Sequence, residues 1–129
     1  MINKRLGNQF ESKFCDYLYK NGFWVHNLAQ NQSGQPADVI AVKNGVPYLI
    51  DCKVCSNGKF PFSRLEENQY LSMTLWKMCG NGEGWFAFLL DNNIYMIPHY
   101  VINDYRKRQS GFNKAEIQQG LLLDIWARG

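Results

Sequence analysis

Two aspartates and a lysine, Asp38, Asp51 and Lys53, stand out because a turn lying between them sets their mutual positions. Asn44-Gly45 separates two apolar runs, and Asn-Gly is the favoured pair for a two-residue type I′ hairpin turn, which needs φ > 0 at both central residues. With that turn Lys43 faces Val46, and counting outward places Asp38 directly opposite Asp51. Side chains so opposed have Cβ atoms about 4.5–5.5 Å apart. Lys53 returns to the face of Asp51, diagonal to Asp38, while Cys52 points the other way. A three-residue turn would oppose Asp38 to Cys52 and loosen the cluster.

Opposed like charges destabilise a strand pair, and Asp is depleted in strands. A divalent cation, the Lys53 ammonium or a raised pKa on one carboxylate can each offset the repulsion. Hard oxygen ligands favour Mg2+ or Mn2+ over zinc, and Mg2+ is commonly held by one or two carboxylates with water and substrate phosphate. The pattern points to phosphate chemistry. The alternative is that both aspartates flank strand ends and Lys53 is a solvated terminus, since an acidic-x-Lys triplet is common by chance.

Around this hairpin the chain must supply a scaffold. Residues 3–21 read as an amphipathic helix, with Leu6, Phe10, Phe14, Tyr17 and Leu18 on one stripe and Gly22 where a left-handed cap belongs. Glu11 lies at the edge of that stripe, either leaning into a site or solvated. Residues 23–28 read as a strand, in which His26 has no motif around it. Residues 29–35 form a polar loop whose amides and Ser33 can touch a phosphate or simply connect. After Lys53 a turn-rich CSNGKFPF segment leads to Ser63 and Glu66, which fit a capping box opening a helix to about Cys79. Gln69 sits one turn in, near the strand ends. GWFAFLL, residues 84–90, suits a strand buried on both faces, and a turn at Asp91-Asn92-Asn93 leads to a neighbouring strand ending at Pro98. Short helices follow over 99–108 and 113–119, and residues 121–126 form an apolar tail suited to a sheet edge or a second subunit. The order predicts a mixed sheet with helices on its faces, an α/β fold.

At 129 residues, 46% of them apolar and 15% aromatic, the chain is expected to be one globular domain, residues 1–129. No apolar run approaches the roughly 18 residues that span a bilayer, and MINKRLGNQF has no apolar signal region, so a soluble cytoplasmic protein with no membrane partner is expected. The four cysteines are expected to be reduced. Cys52-x-x-Cys55 has zinc-like spacing, but Cys79 and His99 supply no second close pair, which favours small buried thiols. The net charge of +3 decides little. Its placement at Lys4, Arg5, Lys59, Arg64 and Arg106-Lys107-Arg108 among polar residues suits contact with a phosphate backbone, or an ordinary solvated surface.

Glu11 in an N-terminal helix, then Pro36-Ala37-Asp38, then Asp51-Cys52-Lys53, in the order α-β-β-β-α-β, resembles the PD-(D/E)XK nuclease superfamily. GNQFE before the hairpin and FPFSRLEENQ after it look like the RecU-type Holliday-junction resolvases, with archaeal resolvases a close second. The usual Pro-Asp is here lengthened by Ala37, and no long insertion resembles the RecU stalk. The resemblance implies a restriction-endonuclease-like core (α-β-β-β-α-β-β) and a metal-dependent endonuclease acting on four-way DNA junctions in recombination. It further implies Mg2+, with Mn2+ as a substitute, held by Asp38, Asp51, the Cys52 carbonyl and Glu11. Lys53 would serve catalysis, Gln69 would position water or backbone, and two chains would act as a homodimer. A restriction or repair endonuclease on duplex or branched DNA, and a non-catalytic DNA-binding protein of the same fold, are the alternatives.

Overall fold

The structure, a computed structural model, describes residues 2–28 and 37–129, and side chains from residue 5 onward. Helix α1 (Ile2–Lys20) buries Phe10, Phe14 and Leu18. It ends as expected at Gly22 (φ 91°), with Gly22 N–H donating to Tyr19 O at 3.2 Å and Phe23 N–H to Leu18 O at 3.1 Å. Those two bonds form a Schellman cap.

Strands β1 (Trp24–Asn27), β2 (Val39–Lys43) and β3 (Val46–Val54) form an antiparallel meander. The β2–β3 turn is the two-residue type: Asn44 and Gly45 have φ of 53° and 77°, and Lys43 pairs with Val46. A segment of β4 (Lys59–Pro61), a 3-10 helix (Phe62–Arg64) and α2 (Glu67–Met78) then crosses over to β5 (Trp85–Leu90), which runs parallel to β3. A parallel pair requires such a crossover. Asp91 and Asn92, both at positive φ, turn β5 into β6 (Asn93–Pro98).

Helix α3 (His99–Arg106), β7 (Gly111–Asn113), α4 (Lys114–Ile117), β8 (Leu121–Leu122) and α5 (Leu123–Arg128) complete the chain. Among the described residues six strands form one sheet in the order β1-β2-β3-β5-β6-β8. The apolar tail does cover a sheet edge: β8 pairs with β6, and Trp126 of α5 stacks on Phe23 at 5.6 Å. One face of the sheet packs on α1 and α5, with Phe14, Ile50 and Trp126. The other packs beneath α2 and α3, with Met73, Phe86, Phe88 and Ile102. This is the mixed α/β architecture expected.

Two local expectations need correction. Ser63 does not cap α2; Glu66 does, and its N–H donates to Oε1 of Gln69 at 3.4 Å. Residues 59–61 of the turn-rich segment form a strand, because β4 pairs with β7, Phe60 opposite Phe112. Phe60 and Phe62 are buried, packed on Phe88 (4.9 Å) and Phe112 (5.0 Å) respectively. That burial holds residues 59–64 out of the helix and delays its start to Glu67. Gly111 permits the pairing, since a Cβ there would lie 2.6 Å from Phe60 O.

Candidate active site

The ladder ends at Val39–Ile50; Asp38 sits just beyond it, its N–H donating to Ile50 O at 3.2 Å, and its carboxylate lies close enough to Asp51 for the two charges to interact. On its other side Asp38 O accepts from Leu28 N–H at 2.8 Å. The Asp38 carboxylate accepts from Cys52 N–H at 2.8 Å, so its orientation is set from β3. Asp51, one pair further along, is fully buried.

Two side chains, Gln69 and Lys53, contact Asp51. Gln69 Nε2 donates to Oδ1 at 2.9 Å. Lys53 Nζ forms an ion pair with Oδ2 at 3.0 Å. Lys53 Nζ also donates to Gln69 Oε1 at 3.3 Å. Burial pushes the Asp51 carboxyl well above the usual carboxylate range; Lys53 pulls it down, and the adjacent Asp38 pushes it up again. Thus two of the means of offsetting the repulsion, the Lys53 ammonium and a raised pKa on one carboxylate, are seen here.

A divalent ion fits this arrangement. A wholly buried carboxylate beside a second carboxylate, with one lysine paired to it, is a set of hard oxygen donors whose mutual repulsion a cation relieves. Among the described residues no three His, Cys, Asp or Glu side chains gather into a metal-holding group. Mg2+ does not need such a cage, because it keeps several waters and is typically bound through one or two carboxylates.

Glu11 is buried at 7% exposure on α1, the opposite side of the sheet from Gln69. Its charge reaches Cys15 and Cys52. Burial first, then Glu11 and neighbouring aspartates, push the Cys15 thiol up to about 11; the Cys52 thiol is raised well above its usual value by burial and then Asp38. Cys52 packs in the α1 cluster, so only its backbone is available to the carboxylates. All four cysteines are free thiols.

Beside the cluster lies a recess of about 720 Å3 bordered by Lys53, Lys59 and Arg64, with Ser56 and Asn57 on its rim and Gly7 of α1 opposite. Arg64 is aimed by its Nη1 donating to Val54 O at 2.8 Å and by lying 5.2 Å over the Phe60 ring. Arg5 is exposed. Lys4, as a side chain, and Ser33 lie outside the described residues. Ser56 and Asn57 were not singled out as contacts, although a polar turn directly after Lys53 was the available signal.

An opposed carboxylate pair, a lysine two residues on and a mixed sheet between helices define a PD-(D/E)XK-type nuclease. A family model described as archaeal Holliday junction resolvase (Hjc) matches residues 2–125. The chain belongs to that family, the second of the two resolvase types it resembles by motif. A solved structure of Archaeoglobus fulgidus Hjc, a Holliday junction resolvase from an archaeal hyperthermophile, aligns with a TM-score of 0.71 at 18% identity, covering 93% of this chain and 97% of that one. That likeness speaks to the fold. No curated protein matches by sequence. Among the described residues no helix is long and apolar enough to cross a membrane.

Proposed function

We infer that this protein is a metal-dependent, structure-selective endonuclease that cuts four-way DNA junctions during recombination, its nuclease domain spanning residues 1–129. The observation that carries the reading is the neighbouring Asp38 and buried Asp51 carboxylates with Lys53, set beside a basic recess in a chain of the resolvase family.

The fitting cofactor is Mg2+, with Mn2+ as a substitute, held by Asp38, Asp51 and the Cys52 carbonyl, with Glu11 directly or through water. When bound, such an ion supplies Lewis-acid activation of phosphate and of water. The protein's own groups do the positioning. Cys52 N–H fixes the Asp38 carboxylate, and Gln69 fixes both Asp51 and the Lys53 ammonium. Lys53 borders the recess, where its charge orients the attacking oxygen or meets charge developing on the phosphate. Lys59, Arg64, Arg5, Lys4 and Ser33 hold the backbone. Hydrolysis leaves a 5′-phosphate and a 3′-hydroxyl.

Two cuts in strands of like polarity call for a two-fold homodimer. Exposed Leu71, Leu75 and Met78, at i, i+4 and i+7 on α2, support such a pairing. The likeness of GNQFE and FPFSRLEENQ to RecU-type resolvases supports a shared use of these segments on DNA, and a DNA substrate supports a cytoplasmic location. The test is incubation with a four-way junction, a matched duplex and a flap, each with Mg2+, Mn2+ or chelator. Symmetric, metal-dependent nicking confined to the junction is expected; equal cutting of all three substrates, or tight binding without cutting under either metal, overturns the reading.

A further inference from the structure

The cleft cations leave part of the basic surface without a task. Arg106-Lys107-Arg108 closes α3. Arg108 is engaged by Asp104, with Nη1 2.9 Å from Oδ2, and lies over the Tyr105 ring. Arg106 and Lys107 are exposed and take part in no ion pair among the described residues. A cation in the last turn of a helix complements its dipole. That does not account for what surrounds these two.

The β4–β7 pairing lays the turn after α3 against the 3-10 helix, since Phe62 N–H donates to Ser110 O at 2.8 Å. Three recesses therefore follow one another. The first is the active-site recess, which reaches Pro61. The second, about 500 Å3, begins at Pro61 and takes in Ser63, Gln109, Ser110 and Arg106. The third, about 570 Å3, shares Arg106 and adds Asn103 and Lys107. Of all the residues bordering the three, Glu67 alone is acidic. From Lys53 outward the surface offers cations alternating with hydroxyls and amides, the groups that contact phosphate and sugar without reading sequence.

We propose that this track is a second DNA-contact surface, on which Arg106 and Lys107, with Ser63, hold the phosphate backbone of a junction arm leading away from the cleaved strand. The inference rests on the junction-resolvase reading. It explains how this domain grips an arm beyond the scissile phosphate.

The test is equilibrium binding in chelator across a salt series, comparing the native protein with the Arg106→Gln/Lys107→Gln variant on long-armed and short-armed four-way junctions. Loss of two phosphate contacts lowers the slope of log affinity on log salt by about 1.8 on long arms and leaves it unchanged on arms too short to reach Arg106. A native slope on long arms overturns the inference, and so does an equal loss on both substrates. The single variants Arg106→Gln and Lys107→Gln, each expected to lower the slope by about 0.9, carry the same test if the double variant folds poorly. Native protein that binds a junction no better than a matched duplex overturns the resolvase reading instead, so the two failures are separable.

Discussion

Gln69 Nε2 donates to Asp51 Oδ1 at 2.9 Å, joining the first turn of α2 to the middle of β3. The same side chain accepts from Lys53 Nζ and from the N–H of Glu66, so one amide orders a carboxylate, an ammonium and a helix start. Gln69→Ala should reduce cleavage about 10- to 100-fold, the range for a residue that orients ligands from behind. It should also cost about 1 kcal/mol through the lost helix cap. Single-turnover cleavage and denaturant unfolding check the two separately; a stability loss with unchanged cleavage would reduce Gln69 to a cap.

Asp51→Asn keeps the shape of the cluster and removes a negative charge from it. Cleavage should be lost while junction affinity is kept or raised, because one fewer negative charge faces the phosphates. Chelation of the native protein should reproduce the loss of cutting. Normal turnover by Asp51→Asn would move the metal site elsewhere.

Lys53→Ala should lower turnover with little loss of metal binding, since its Nζ touches Asp51 and Gln69 and borders the recess. Metal titration of the variant beside single-turnover cleavage measures this. Equal loss of both would make Lys53 a structural partner of Asp51.

His99 offers a pH test away from the site. It is buried between Tyr70 and Phe86, and burial lowers its pKa; Glu83 opposes this, while Arg106 and Lys77 add to it. The folded chain therefore takes up the proton less readily than the unfolded chain. Stability contributed by neutral His99 is present above about pH 6.5 and falls as pH drops below it until the lowered native pKa is passed, with a slope of at most about 1.4 kcal/mol per pH unit. His99→Phe should flatten that part of the unfolding profile. An unchanged profile would assign the slope to other groups.

What was legible in the sequence was what local chemistry decides. Asn44-Gly45 selects its turn from two residues, and from that turn the register follows by counting as far as Val39 opposite Ile50, which brings Asp38 close to Asp51. Gly22 and the pattern from Phe10 to Leu18 likewise placed the end and buried face of α1. Ser63 was misread because its setting depends on Phe60 and Phe62 reaching Phe88 and Phe112, partners far along the chain that no local pattern reveals. β4 was missed for the same reason, its partner β7 lying some fifty residues on. In the site, Gln69 was legible as a neighbour of the strand ends. That it contacts Asp51 and Lys53 together was not, because that depends on where the crossover sets α2 down.

The pairing of residues 59–61 with residues 111–113 also orders events in time. On the ribosome every member of the Asp38–Gln69 cluster is synthesised well before the strand that closes the wall bearing Lys59. The emerging chain thus carries its acid and ammonium groups before the wall bearing Lys59 can close, which happens only after residue 113 has been made.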